Sequence, residues 1–304
     1  MYISLNEYLK NQFGTKVYRL ALSATTTCPN RDGTLGKGGC IFCGEEGSGS
    51  FAAPVTMSVT EQIETAKTRI KSKTNANKFI AYFQSFTSTY APIDYLERIF
   101  FEAISHPEVV VLSVATRPDC LPPEVLDLLA RLNRIKPVWV ELGLQTIHSE
   151  TAKYIRRKYP LSCYDTAVRN LNKIGVNVIT HMIIGLPYEN EKMIVETAEY
   201  IGKSGVGGIK LQLLHVLKGT DLEKEYLKGK FRCLTLEEYT AILKKCLSVL
   251  PDGMVVHRIT GDGDKKKLVA PLWSGDKKKV LNYINNELKS FREKVYYKRK
   301  SRLR

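Results

Sequence analysis

What this chain lacks narrows its class before any motif is read. No apolar run approaches the roughly 20 residues of a membrane-spanning helix. Asn6, Glu7 and Lys10 interrupt the apolar residues at the start, so no secretory signal is expected. Histidine is scarce, at five, and the nearest one downstream of the densest cysteine region is His106, which counts against a mixed Cys/His zinc module. The seven cysteines are odd in number and lack disulfide-type spacing, which argues against a stapled extracellular scaffold and for a reducing, cytoplasmic setting. No internal repeat or low-complexity linker divides the chain. Acids are short as well: 31 Asp and Glu stand against 46 Lys and Arg, for a net charge of +15. What remains is a 304-residue chain, 43% hydrophobic, with enough apolar surface to bury one large core.

The excess charge is uneven. Residues 277–304 hold eleven Lys/Arg and only two acids, Glu287 and Glu293. Lys265–Lys267 and Lys277–Lys279 flank Trp273, while Phe291, Tyr296 and Tyr297 interleave the terminal charges. A basic strip with aromatics is the footprint of phosphate-backbone binding, and its bland counterpart is a solvated face. On this basis Lys277, Lys278, Lys279, Arg292, Lys298, Arg299 and Lys300 are candidate nucleic-acid contacts.

Three of the cysteines fall within residues 28–43, in Cys28-Pro-Asn-Arg-Asp-Gly-Thr-Leu-Gly-Lys-Gly-Gly-Cys40-Ile-Phe-Cys43. Gly33, Gly36, Gly38 and Gly39 let such a loop curl three thiolates towards one point. Three thiolates suit a [4Fe–4S] cluster with one iron left open for a further ligand. A structural zinc would want a fourth Cys or His, and a redox pair made of Cys40 and Cys43 leaves Cys28 unexplained. Cys120, Cys163, Cys233 and Cys246 are widely spaced and read as ordinary thiols.

Around this loop the hydrophobic pattern alternates between strand and helix. Strands are expected near 17–22, 78–84, 109–114, 138–143, 176–184 and 208–214, with helices between them, and several of the strands are almost wholly apolar. Parallel strands covered on both faces read this way. Polar residues recur just after the strand ends, where α/β barrels carry their sites. The expected fold is therefore α/β, a (βα)6 partial TIM barrel over residues 15–216. A helix in 1–14 capped by Ser4 precedes it, and a small α/β extension over 217–304 carries the basic helix and tail.

With these motifs in order, the chain resembles the radical S-adenosylmethionine (SAM) superfamily, most closely the branch of the Elongator catalytic subunit and its small stand-alone bacterial relatives. Cys40-Ile-Phe42-Cys43 keeps the end of the family's cysteine motif, with the first gap widened to eleven residues. Gln84-Ser85-Phe86-Thr87, Thr116-Arg117-Pro118-Asp119, Glu141-Leu-Gly-Leu-Gln145 and His181-Met-Ile-Ile-Gly185-Leu-Pro187 resemble successive strand-end motifs. Arg157 falls where relatives carry a basic residue.

The resemblance implies that Cys28, Cys40 and Cys43 bind three irons of a [4Fe–4S] cluster while SAM chelates the fourth. One-electron cleavage of SAM would then give a 5′-deoxyadenosyl radical that abstracts hydrogen from the substrate. Phe42, Gln84, Ser85, Thr87, Thr116, Arg117, Glu141, Gln145, Arg157, Gly185 and Pro187 would contact SAM. His181, His215, His257, Arg258 and Asp262 are the substrate-facing candidates. The implied partners are tRNA and a low-potential electron donor such as flavodoxin or ferredoxin. The implied target is the C5 side chain of the wobble uridine, U34. No acetyltransferase segment follows the barrel, so trimming of carboxymethylaminomethyluridine is expected in place of acetyl-CoA-dependent carboxymethylation. Two other readings stay open: an oxidoreductase or decarboxylase of a small metabolite, and a zinc-stabilised RNA-binding protein without catalysis.

Overall fold

The computed structural model describes residues 2–24, 26–44, 47, 56–71, 74, 76–261 and 263–302, with side chains up to residue 290. β1 (Ile3–Ser4) leads into α1 (Leu5–Phe13). An alternating series follows: β2 (Tyr18–Leu22), α2 (Val59–Ile70), β3 (Phe79–Phe83), α3 (Ile93–Ser105), β4 (Val109–Thr116), α4 (Pro123–Asn133) and β5 (Val138–Gln145). It continues through α5 (Ser149–Tyr154), α6 (Leu161–Lys173), β6 (Asn177–Ile184), α7 (Glu191–Lys203) and β7 (Gly208–Leu213). After it come β8 (Val216–Leu217), α8 (Asp221–Leu227), α9 (Leu236–Val249), β9 (Val255–Arg258), β10 (Leu268–Ala270) and α10 (Lys277–Arg302).

The six expected strands are β2 to β7, and they lie side by side in sequence order as a parallel, curled half-barrel. The sheet has eight strands, because β9 pairs in parallel with β7 and β1 pairs in parallel with β9. Both additions are short, which is why hydrophobic pattern alone misses β1 and leaves β9 without a neighbour. α5 stops at Tyr154, short of the expected 157, since Arg156 and Lys158 take left-handed backbone angles (φ 58° and 67°). α10 runs to Arg302, ten residues past its expected end. No helix among the described residues is long and apolar enough to cross a membrane.

Strand side chains alternate between two environments, as the two-residue period requires. One set, including Leu20, Phe83, Val114, Val140 and Val178, packs outwards against the helices. The other set faces the barrel interior, where Ile80, Val111, Trp139 and Ile179 form an apolar layer closed by Leu9 of α1. α1 can plug this end because both of its termini are satisfied. Ser4 Oγ accepts from the Glu7 N–H at 3.3 Å, and Gly14 closes the helix at φ 72°.

His257 of β9 also belongs to this lower interior. Its ring meets Trp139 edge-on with centroids 5.2 Å apart, and it fills the space over Gly208, where a Cβ would come within 2.7 Å of Nε2. Gly208→Ala therefore overpacks the floor and is expected to cost about 1–3 kcal/mol, measured by denaturant unfolding of the variant beside the parent.

Candidate active site

At the carboxyl end of the strands lies a cavity of about 280 Å³. Cys28, Cys40, Phe42 and Cys43 enter its wall from the loop after β2. That loop is held by its own hydrogen bonds: Asn30 Nδ2 donates to the Arg156 carbonyl at 2.6 Å and lies 3.5 Å from Cys40 Sγ, and Arg31 donates to the Cys43 carbonyl at 3.2 Å. Gly39 is needed for the turn, because a Cβ there would sit 2.9 Å from Arg31 Nε, on a backbone at φ 82°. The neighbouring Cys43 thiol pulls Cys40 down to about 7, with Arg117, Asn30 and Arg31 adding to the effect against burial.

The spread of the three sulfurs bears on what they can hold. Tetrahedral zinc with Zn–S near 2.3 Å brings its sulfurs to within about 3.8 Å of one another. Among the described residues only Glu64, His106 and Glu108 place three such ligand atoms within 4.8 Å, so the cysteine triad is wider than a zinc site requires. Cys40 and Cys43 are hydrogen-bonded neighbours, and with Cys28 the three thiols on one cavity wall offer the ligand set of a [4Fe–4S] cluster with one iron left open. The Glu64, His106 and Glu108 group is a surface ion-pair cluster, with Lys67 Nζ 2.8 Å from Glu64 and in contact with Glu108.

Most of the expected SAM contacts reach the same cavity: Gln84, Thr116, Arg117, Glu141, Gln145 and Arg157 line it. Gln145 ends β5 at φ 69°, and its side chain folds back over Gly143, where a Cβ would lie 2.9 Å from Gln145 Nε2. Gln145 Oε1 is buried with no hydrogen-bond partner, an acceptor left for a ligand. Arg117 lines the wall, but its guanidinium fork is already taken by Asp119 of its own turn, at 2.8 and 2.6 Å. Arg157 donates to the carbonyls of Leu144, Thr146 and Tyr159, so it braces the β5 end.

Other expected residues lie off the cavity wall. Ser85 and Thr87 are buried away from the cavity: Ser85 Oγ meets Ser23 Oγ at 3.2 Å, and the Thr87 N–H donates to the Thr27 carbonyl at 3.2 Å. The turn between them rotates through Phe86 at φ 55°, which sends the Phe86 ring into the cavity instead. Gly185 and Pro187 do not line it either, whereas Ile183, two residues earlier on β6, does. Of the substrate candidates, His181, His215 and Arg258 reach the cavity. His257 points into the lower interior, and Asp262 lies outside the described residues. Lys277, Lys278 and Lys279 are exposed in the first turn of α10, and the side chains of Arg292, Lys298, Arg299 and Lys300 are not described.

The residues that pattern reading missed are Arg19 and Lys210, which meet the expected Glu141 and His181 inside the barrel. Glu141 is fully buried, and both of its oxygens are occupied. Oε1 accepts from Ser113 Oγ at 3.0 Å and faces Arg19 at 3.4 Å, while Oε2 faces His181 Nε2 at 2.7 Å and contacts Lys210 Nζ. Burial alone would raise the Glu141 carboxyl, but Lys210 and Arg19 outweigh it and hold the group well below the usual range. Burial, reinforced by the Lys210 charge, pushes His181 down to about 4. The neutral ring's Nε2–H then donates to Glu141 while Nδ1 accepts from Gln212 Nε2 at 3.3 Å. Tyr82 completes the layer, with Lys210 Nζ 3.2 Å from its hydroxyl. A lysine in the middle of the apolar run Gly208–Leu213 was the available signal, since buried lysines are rare without a partner.

A half-barrel with three thiols and an unfilled acceptor at the carboxyl end of its strands defines a class of metal-cluster enzyme. A model for the radical SAM superfamily matches residues 22–201, and one for the radical SAM C-terminal domain matches residues 206–290. The chain belongs to the radical SAM superfamily, whose enzymes use a [4Fe–4S] cluster and SAM.

Its relatives include the protein YtqA of Bacillus subtilis (strain 168), 45% identical over 95% of this chain and 90% of that protein. The tRNA uridine(34) acetyltransferase of Methanocaldococcus jannaschii is 25% identical over 50% of this chain and 28% of that protein. Among solved structures, archaeal Elp3 of Methanocaldococcus infernus lacking its N-terminus superposes with a TM-score of 0.66 at 19% identity. That match covers 89% of this chain and 63% of the Elp3 chain, so the two share a fold.

The Glu141 layer makes a thermodynamic prediction. Glu141→Ala strands Lys210 and Arg19 in the interior and is expected to destabilise by about 3–5 kcal/mol, whereas Glu141→Leu combined with Lys210→Met recovers much of the loss. Chemical denaturation of the single and double variants measures both.

Proposed function

We propose that this radical SAM enzyme modifies the C5 side chain of the tRNA wobble uridine, with carboxymethylaminomethyluridine as the substituent it trims. In this reading Cys28, Cys40 and Cys43 hold three irons of the cluster. The cluster, once bound, supplies the one-electron cleavage of SAM that makes hydrogen abstraction possible. Gln145 Oε1 accepts from the SAM amino group, Gln84 and Thr116 add polar contacts, and the Phe42 and Ile183 side chains give an apolar wall for the adenine. Arg117, fixed by Asp119, keeps positive charge beside the thiolates. The protein works in the cytoplasm and draws its electron from a low-potential carrier such as flavodoxin or ferredoxin.

The observation that carries the tRNA half of the reading is the basic rim of the cavity. Leu217 and the 263–264 turn form part of the cavity wall, and the antiparallel pair β8 and β10 joins the two segments. The same pairing sets Lys218 beside Lys267, whose carbonyl accepts from the Lys218 N–H at 2.7 Å. Lys218, Lys265 and Lys266 are exposed there, next to the opening through which a substrate enters. By contrast, Leu288 and Lys289 of α10 line a second pocket with residues of α1, at the closed end of the barrel. Grip on the RNA near the reacting base therefore falls to the rim. The relative named as a tRNA uridine(34) acetyltransferase supports the choice of nucleoside.

Anaerobic reconstitution of Cys28→Ala is expected to lose the iron and acid-labile sulfide of the [4Fe–4S] cluster, while Cys120→Ala, whose thiol burial pushes up to about 12, keeps them. Stoichiometric zinc with no iron–sulfur absorbance in the parent protein would sink the enzyme reading.

Replacing Lys218, Lys265 and Lys266 together by Ala should reduce the log–log salt slope of tRNA binding by about 2–3, each phosphate contact being worth roughly 0.7–0.9. Fluorescence anisotropy across a salt series reads the slope, and an unchanged slope would make the rim a solvated face.

A further inference from the structure

The carboxyl end of the barrel carries a group of aromatic rings outside the cavity. β6 ends at Ile184, the buried Leu186 and Pro187 follow, and the chain turns through Tyr188 before Asn190 caps α7. Tyr188 takes a left-handed conformation at φ 68° and is 64% exposed. Tyrosine rarely adopts that backbone region, and such outliers concentrate in functional segments. Its ring meets Tyr154 at 84° with centroids 5.0 Å apart, an edge-on contact that leaves Tyr188 at least one ring face uncovered by its neighbour.

The group backs onto the cavity wall. Tyr154, Tyr226 and Phe231 pack against one apolar cluster with Ile41, Ile155 and Ile183, and the last two line the cavity. α8 is tied to the same wall, since the Leu222 N–H donates to the Ile41 carbonyl at 2.9 Å. The acids of α8 are engaged: Asp221 holds Arg156 and Lys224, Glu223 accepts from the Gly219 N–H, and Glu225 holds Lys230 at 2.7 Å. Glu189, next to Tyr188, is turned onto Thr146. Lys230 is within electrostatic reach of Tyr188. Beyond those pairs Lys153, Lys158 and Lys228 are exposed, against Glu150 of α5.

We propose that Tyr188 is a stacking platform for an unpaired RNA base, with the 228–230 turn supplying positive charge to the phosphate beside it. A stacked base needs one open ring face and a nearby cation, and stacking tolerates any base. A protein partner needs a broader contact, whereas in these segments Tyr188 and Leu227 are the large apolar side chains described as exposed. β8 leads through Lys218 and Gly219 into α8, so the platform continues the basic rim. The base held there is a neighbour of the one that enters the cavity. The inference rests on the tRNA reading only for which RNA supplies the base.

The test uses the reconstituted full-length enzyme and two fluorescent RNAs. One is an anticodon stem–loop with 2-aminopurine beside the wobble nucleotide, and the other is an unstructured oligoribonucleotide with the same fluorophore. The parent is expected to quench the fluorophore saturably. Tyr188→Ala should lose the quench and weaken binding by about 5- to 150-fold, the worth of one stacked base. Tyr188→Phe keeps the ring and should keep both. The log–log salt slope should match between the parent and Tyr188→Ala, because no phosphate contact leaves with the ring.

Unchanged affinity and quench in Tyr188→Ala overturn the platform, and a stem–loop still bound leaves the tRNA reading standing. A loss that Tyr188→Phe shares also overturns it, since the ring would then not carry the contact. Slower cluster reduction by flavodoxin in Tyr188→Ala, with RNA binding intact, assigns the surface to the electron carrier and overturns it as well. If the oligoribonucleotide binds through Tyr188 but the stem–loop neither binds more tightly nor stimulates SAM cleavage, the tRNA reading fails and the platform stands. Binding of neither RNA by the parent overturns the platform, and SAM cleavage with whole tRNA then judges the tRNA reading separately.

Discussion

One buried carboxylate sets the terms for the interior of this barrel. Glu141 is wholly removed from water, a state too costly for an ion unless donors surround it. The protein meets that cost with groups from four other strands: Arg19 of β2, Ser113 of β4, His181 of β6 and Lys210 of β7. Each sits on the inward face of its strand, so the layer ties the half-barrel together across its width. It also divides the interior into two parts. Beneath it is an apolar plug with Trp139, His257 and α1, and above it is the cavity with the thiols.

The upper half shows the opposite economy. Here the backbone, more than the side chains, is placed under constraint. Among the described residues, five that are not glycine take left-handed angles, Phe86, Gln145, Arg156, Lys158 and Tyr188, and all lie at or after the carboxyl ends of strands. Such conformations persist where surrounding contacts over-determine them, and they cluster at functional sites. Phe86 shows what such a turn achieves, since it puts the Phe86 ring on the cavity in place of the Ser85 and Thr87 side chains. The cysteine loop adds glycines at tight points, so that three thiols reach one wall.

The segment after β7 completes the site as well as the sheet. β9 brings Arg258 opposite Lys210, and the β8–β10 pair sets a lysine-bearing rim at the opening. The cavity thus takes its thiol-bearing wall from the loop after β2 and further lining from the last strands of the chain. The archaeal Elp3 likeness extends over 89% of this chain, which includes part of that C-terminal segment.

The cysteine loop, the six-strand alternation and the strand-end motifs were determined by sequence alone, because they depend on local spacing. Thiolate chemistry needs only three cysteines in a glycine-rich loop, and a parallel strand needs only an apolar run between helices. Gln145, Thr116 and Arg117 were legible as site residues for the same reason: each lies at or just after a strand end, and strand ends converge. What only the tertiary structure decided was which way each side chain turned and what it met there. Sequence cannot show that Phe86 replaces Ser85 and Thr87 at the cavity, since that depends on one left-handed residue. Nor can it show that Asp119 already occupies Arg117, or that His257 turns to the floor. Lys210 and Glu141 are 69 residues apart in the chain, and their pairing exists only because the sheet curls until the two inward faces meet.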